Sequence, residues 1–221
     1  CSTAALPYAL GIASQYGAKL YAVHVLSTDA YLFASPETCP AVVEYQEEEQ
    51  KMAAALLEQS LRGTPHQVVS AVGDIPDVIF RLIREHQIDL LVLGTHGRSG
   101  LPKLVMGSVA EKLFRQASCP VLTVGPHVRN EQKSVVKFKR IVFATDFSEE
   151  SIAAAPYAFS LAREHQAHLA LLHVLEHPQG ATVDFESNGD FVTRRMKDLI
   201  PRESDLWFKS DYVVEFGSSE E

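Results

Sequence analysis

Apolar positions along this chain follow two periods in turn. Ile75, Val78, Ile79, Leu82 and Ile83 fall at i, i+3, i+4, i+7 and i+8, one clean face of a helix that Asp74 caps. Pro40 to Arg62 is a longer helical stretch, and Gly107 to Ala117 a shorter one. Between them lie short runs with no polar face: Lys19 to Leu26, Gln67 to Val72, Leu90 to Leu93 and Pro120 to Val124. Strands apolar on both faces, alternating with helices, predict a parallel sheet covered on both sides.

The pattern repeats. Ser2 aligned with Ser151 gives STAALPYALGIASQYGAKLYAVHVL against SIAAAPYAFSLAREHQAHLALLHVL, with 12 of 25 positions identical at a constant offset of 149. This is a duplication. Each copy reads as an Ala-rich helix, carrying Pro7 or Pro156 where a kink is expected, then a strand ending His-Val-Leu. In the second copy, Lys137 to Thr145 reads as a strand ahead of that helix. Asp146-Phe147-Ser148 then makes the helix start, with Glu149 and Glu150 in its first turn. The first copy begins at Cys1 without such a strand. The second stops near Phe216-Gly217, which aligns with the Val72-Gly73 strand end, so the last third of the first copy has no counterpart. The expected organisation is repeat 1 over 1–126, a polar linker over 127–138, and repeat 2 over 139–221.

The most chemical stretch is LLVLGTHGRSGLPKLVMGSV, residues 90–109. It leaves a buried strand at Gly94, passes Gly97 and enters a helix at Gly107-Ser108. Ligands of open parallel sheets sit at the carboxyl ends of strands, and a helix N-terminus offers unpaired N–H groups to phosphate. The spacing is neither a P-loop nor the dinucleotide GxGxxG. On these grounds alone, phosphate binding and a purely structural turn stand level.

The spacing G-x2-G-x9-G-[ST] at Gly94, Gly97, Gly107 and Ser108 resembles the ATP-binding signature of the universal stress protein family. The flanks DLLVLGTHGRSG and ASCPVLTVGP agree, and FATDFSEES in the second copy resembles the family's first strand and loop. The resemblance spans nearly the whole chain, as an interrupted tandem. It implies an α/β fold of the adenine-nucleotide α-hydrolase-like kind, with a five-stranded parallel open sheet of order 3-2-1-4-5 and helices on both faces. In ATP-binding members, the glycines and serine cradle phosphates and ribose. The acidic residue after strand 1 and the backbone ending strand 2 hold the base side. Carried over, Gly94, Gly97, Gly107, Ser108 and Val109 make the phosphate and ribose half, with His96 nearby and Arg98 as a charge partner. Val25 would flank the adenine. Thr145 and Asp146 match the opposite half, but in the second copy, where Val174 corresponds to Val25. Neither repeat carries both halves.

The missing strand of repeat 1 suggests that Lys139 to Asp146 crosses over to fill the gap. The 14 steps from Gly125 to Lys139 reach up to ~45 Å at ~3.3 Å each, ample for the crossing. The alternative is that repeat 2 keeps its own strand.

Composition narrows the class. At 221 residues the chain is about one and a half domains on a ~150-residue prior. A hydrophobic content of 46% and a charged content of 22% exclude wholesale disorder. The net charge of −8 argues against nucleic-acid or anionic-membrane binding. No apolar run approaches the ~20 residues of a membrane span, and the first residues do not read as a signal peptide. Cys1, Cys39 and Cys119 form no CxxC pair, which points to a reducing cytoplasm. His165, His168, His173 and His177 cluster in sequence, but His168 and His173 would point to opposite strand faces, so a metal site is not expected. His24 and His173, at the same repeat position, read as a shared packing contact. Glu47 to Glu49 reads as a solvated helix face, and Trp207-Phe208 as packing beneath the second sheet. The expectation is a cytoplasmic ATP-binding regulatory module. Magnesium would accompany ATP, though no residue pair marks a protein site for it. A nucleotide-free interaction protein and a weak ATPase, which would need a base that no residue supplies obviously, are the alternatives. The family resemblance also implies a homodimer, or an internal pairing of the repeats through the fifth strand, which repeat 2 lacks.

Overall fold

A computed structural model of the chain describes residues 2–27, 40–95, 107–125, 128, 136–175, 185–201 and 207–217. It divides into two units, Cys1–Val136 and Lys137–Glu221. The first contains α1 (Ser2–Tyr16), β1 (Leu20–Leu26), α2 (Pro40–Ser60), β2 (His66–Val72), α3 (Ile75–His86), β3 (Leu91–Gly94), α4 (Ser108–Gln116) and β4 (Val121–Val124). The second contains β5 (Arg140–Ala144), α5 (Glu149–His165), β6 (His168–Leu175), α6 (Phe185–Leu199) and β7 (Ser210–Phe216). Every described strand pair is parallel, as the double-sided apolar runs require.

The duplication is visible in three dimensions. β1 pairs with β2 from Leu20↔His66 to Leu26↔Val72, and β6 pairs with β7 from Leu169↔Ser210 to Leu175↔Phe216, so the strand 149 residues on from β1 meets its partner in the equivalent pairing. Each second strand ends on a glycine whose N–H donates back across the pair, Gly73 to Leu26 O at 3.0 Å and Gly217 to Leu175 O at 3.2 Å. Gly73 has φ +148°, which a residue with a Cβ rarely adopts, so glycine is required there. Both α1 and α5 run on through their internal prolines.

α3 shows why the sequence pattern was decisive. The Asp74 carboxylate accepts from the Asp77 N–H at 3.1 Å, and Gln87 ends the helix in the left-handed conformation. Val78, Leu82 and Ile83 are buried on the expected face, while Ile75 and Ile79 are half-buried. α6 had no counterpart in the sequence reading. Its buried residues Val192 and Met196, with Ile200 just beyond, recur every four residues and pack with Leu169, Leu171 and Phe208 in the core of the second unit. Phe208 is buried there as expected. Trp207 instead stays 37% exposed, its ring under the Arg163 guanidinium at 5.4 Å.

Among the described residues, no five-stranded sheet is formed within either unit. The strands form three hydrogen-bonded groups, β1-β2, β3-β4 and β5-β6-β7. Each adjacency present is one that the order 3-2-1-4-5 contains, and the 1–4 adjacency is not formed among the described residues. β1 and β3 therefore each keep one edge without a strand. The helix α1 packs on β3 and also touches β1 and β4. The strand Lys139 to Asp146 pairs within its own repeat: β5 is hydrogen-bonded along its length to β6, Arg140↔His168 to Ala144↔Leu172. A β5-α5-β6 unit closes over a short sequence separation, and such parallel crossovers pack readily, so the local pairing wins over the long crossing.

Candidate functional site

Two places at carboxyl ends of strands hold the residues singled out by sequence. In the first unit, β3 ends at Gly94, paired with Val124. The Thr95 N–H donates to Val124 O at 3.1 Å, and the Gly107 N–H donates to Thr95 O at 2.9 Å. The chain thus returns at Gly107 to the point where it left the sheet, and α4 starts there. Gly107 caps α4 without a side-chain hydrogen bond, and Ser108 and Val109, in the first turn, are exposed. Their N–H groups have no intrahelical acceptor, and they form the positive end of α4, beside the mouth of β3.

Glycine at 107 is not demanded by the backbone. Its φ of −62° and ψ of 147° suit any residue. A Cβ built there would meet Thr95 O at 3.5 Å, an ordinary contact. The backbone conformation and the space around residue 107 therefore do not require glycine. Val25 is half-buried near the end of β1, paired with Ala71. Gly97 and Arg98, with His96, lie outside the described residues.

In the second unit, β5 ends in a dense polar turn. Thr145 is buried, and its N–H donates to Leu172 O at 2.9 Å. Its Oγ1 accepts from the Phe147 N–H at 3.0 Å and lies 2.9 Å from Ser151 Oγ. The His173 Nδ1–H donates to Thr145 O at 2.7 Å, a partner that sequence reading of this histidine did not identify. Phe147 has φ +62°, a conformation costing ~1–3 kcal/mol for a residue with a side chain. Its ring is held by the Arg195 guanidinium at 4.1 Å and the His173 ring at 4.8 Å. The turn presents Asp146 to solvent. Ser148 donates to Asp146 Oδ1 twice, from Oγ at 2.6 Å and from N–H at 2.9 Å, and Ser148 itself caps α5. These bonds favour the ionised carboxylate and lower its pKa from 3.8 to about 2, the Ser148 hydroxyl contributing most. Val174 lies half-buried on β6 beside this turn, paired with Glu215.

Site residues of the two halves thus lie in different units: Gly94, Gly107, Ser108, Val109 and Val25 in one, Thr145 and Asp146 in the other. Two open grooves of the second unit, about 390 and 470 Å³, are lined around Trp207 by residues such as Lys139, His168, Ile152 and Phe159. They include none of the site residues. Among the described residues no three of His, Cys, Asp and Glu converge as metal ligands. His168 pairs instead with Asp211 at 3.1 Å. Cys119 is a free, half-buried thiol whose pKa burial raises. No helix among the described residues is long and apolar enough to cross a membrane.

Parallel strands joined by helices define an α/β protein. The chain belongs to the universal stress protein family, whose pattern it matches over residues 1–125 and 137–191. It is 29% identical to the universal stress protein MJ0531 of Methanocaldococcus jannaschii over 126 residues, 56% of this chain and 74% of that one. A universal stress protein of Bacillus subtilis, YxiE, is 29% identical over 134 residues, 56% of this chain and 90% of its own. Among solved structures, a universal stress protein from Archaeoglobus fulgidus superposes with a TM-score of 0.62 at 20% identity, covering 96% of this chain and 73% of that one. A putative one from Pseudomonas aeruginosa gives 0.61 at 18% identity, with 96% and 69% covered. At these identities the superpositions establish the fold.

Proposed function

We propose that this chain is an adenine-nucleotide-binding regulatory module, with the phosphates of ATP held at the loop that leaves β3 at Gly94 and enters α4 at Gly107-Ser108. One observation carries the reading: the Gly107 N–H bonded to Thr95 O brings a helix N-terminus to the mouth of β3 at a glycine that the backbone does not require. The N–H groups of Ser108 and Val109 and the Ser108 hydroxyl are the donors a polyphosphate would meet. Gly97 and Arg98 would complete that half, and Val25 would border the base. Thr145 and Asp146 are the base-side type of residue, but they serve the second unit. The phosphates therefore carry most of the affinity in the first. Magnesium would enter with the nucleotide. The reading is of a binding protein, with the cytoplasm as its place of action. A homodimer, or pairing between the repeats, is the assembly the family suggests. Calorimetric titration of the full chain with ATP, adenosine and inorganic tripolyphosphate tests the site: tripolyphosphate should retain most of the affinity and adenosine little.

A further inference from the structure

The two grooves beside Trp207 carry an inference of their own, independent of nucleotide binding. They share that one side chain and differ in chemistry. The larger, about 470 Å³, is walled by Ile152, Pro156 and Phe159 of α5, by Leu199 at the end of α6, and by Pro201. Its polar lining is the Ser160 hydroxyl, which donates to Glu164, and the Arg163 guanidinium, which lies over the Trp207 ring at 5.4 Å. The smaller, about 390 Å³, is lined by Lys139, Lys209, His168 and Gln166, and among the described residues no carboxylate stands in its wall. Phe208 is buried in the core, whereas Trp207 turns outward between the two grooves.

Strand pairing gathers the basic residues. The His168 N–H donates to Lys139 O and the Leu169 N–H to Lys209 O, both at 2.9 Å. Lys139, His168 and Lys209 therefore stand side by side where β5, β6 and β7 begin, at the opposite end of the strands from Thr145 and Asp146. Asp211 takes His168 Nε2 at 3.1 Å, but among the described residues neither lysine has an ion-pair partner. In a chain of net charge −8, two unpaired lysines on one groove are a local reversal of sign, and such a spot attracts an anion.

We propose that the second unit binds a small amphipathic anion across Trp207: its apolar chain lies in the groove of Ile152, Pro156, Phe159 and Leu199, and its phosphate-type head meets Lys139 and Lys209. Lysine holds phosphate as a point charge, and two of them match a dianion. Arg163, held over the Trp207 ring, adds positive charge where the two grooves meet. A mostly apolar cavity with a few convergent polar groups is the usual form of a small-molecule site. The head alone would keep its water at grooves this open, and an apolar chain alone would gain nothing from the lysines. Affinity therefore needs both parts in one molecule.

Trp207 is the chain's single tryptophan, so its fluorescence reports on the grooves directly. Octyl phosphate added to the full chain should change the emission saturably, with one molecule bound per chain. Octanol and inorganic phosphate should each bind at least tenfold more weakly, and octyltrimethylammonium should give no saturable change. Lys139→Gln combined with Lys209→Gln should weaken octyl phosphate at least tenfold and leave the response to octanol as it was. Ile152→Asp, at a position 39% exposed, should weaken it at least fivefold with an unchanged circular dichroism spectrum. No saturable change, unchanged affinity in the double lysine variant, equal binding of the cationic amphiphile, or uptake of many molecules per chain would overturn the proposal. Displacement of the probe by ATP would overturn it as well, since the grooves would then belong to a nucleotide site. So would sedimentation of the chain with phosphatidic acid vesicles, which would make a lipid surface the ligand.

Discussion

The Gly107 amide donates to the Thr95 carbonyl at 2.9 Å, joining the first residue before α4 to the first residue after β3. The eleven residues between them leave and return to one point, so a phosphate-sized group could be met there by helix N–H groups on an anchored base. Because Gly107 has an ordinary backbone conformation and room for a Cβ, its role can be separated from folding. Gly107→Ala trades a slightly poorer cap for a stiffer unfolded chain, effects of about 0.5–1 kcal/mol that oppose each other. Thermal unfolding should shift by no more than a few degrees, while ATP affinity falls at least tenfold. Equal losses in both measurements would make the glycine structural.

Asp146 should titrate well below an ordinary carboxylate. Its folded pKa of about 2 lies under the unfolded value of 3.8, so its contribution to stability is present above pH 4 and is lost as pH falls toward 2. NMR titration of the side-chain carboxyl should give a midpoint near 2 in the native chain. Ser148→Ala, which deletes the 2.6 Å hydroxyl bond, should raise it. A midpoint near 3.8 in the native protein would remove the turn geometry from the account.

Core contributions in the second unit should be steep. Met196 is 0% exposed between Leu169, Leu171 and Phe208, whereas Val142 on β5 is 64% exposed. Met196→Ala should cost about 2–5 kcal/mol. Val142→Thr should stay within ~0.5 kcal/mol. Chemical denaturation of both variants checks the contrast, and comparable losses would contradict it.

Amide exchange along β1 should alternate in the free chain. Leu20, Ala22, His24 and Leu26 are bonded to β2 and should exchange slowly, with Tyr21, Val23 and Val25 faster. β6, paired on both sides, should show no alternation from Leu169 to Leu172. Uniform protection along β1 would mean that its second edge is covered.

Much of this arrangement was legible in the residues. The face of α3, the Asp74 cap and the strand ends at Gly73 and Gly217 follow from periodicity and from the few residues that tolerate special backbone conformations. The duplication transferred the second repeat's strand pairing to the first. The path of Lys139 to Asp146 was open in sequence, because linker length permits both routes and only pairing energy separates them. α6 is poorly marked in the sequence because its stripe of Val192, Met196 and Ile200 is sparse among charged neighbours. The Phe147 turn was not legible either: a left-handed aromatic held by Arg195 and His173 depends on residues 26 to 48 positions away. The glycine loop was legible as spacing, but the Thr95–Gly107 bond that anchors it needed coordinates.

Binding itself is the most direct measure of the central claim. Isothermal titration of the full chain with ATP and magnesium, beside the Gly107→Val variant, should show one saturable event that the variant loses. Tripolyphosphate should compete and adenosine should not. A chain that takes up no heat with ATP, or a variant that binds as tightly as the parent, would contradict the assignment of the Gly94–Gly107 loop to phosphate.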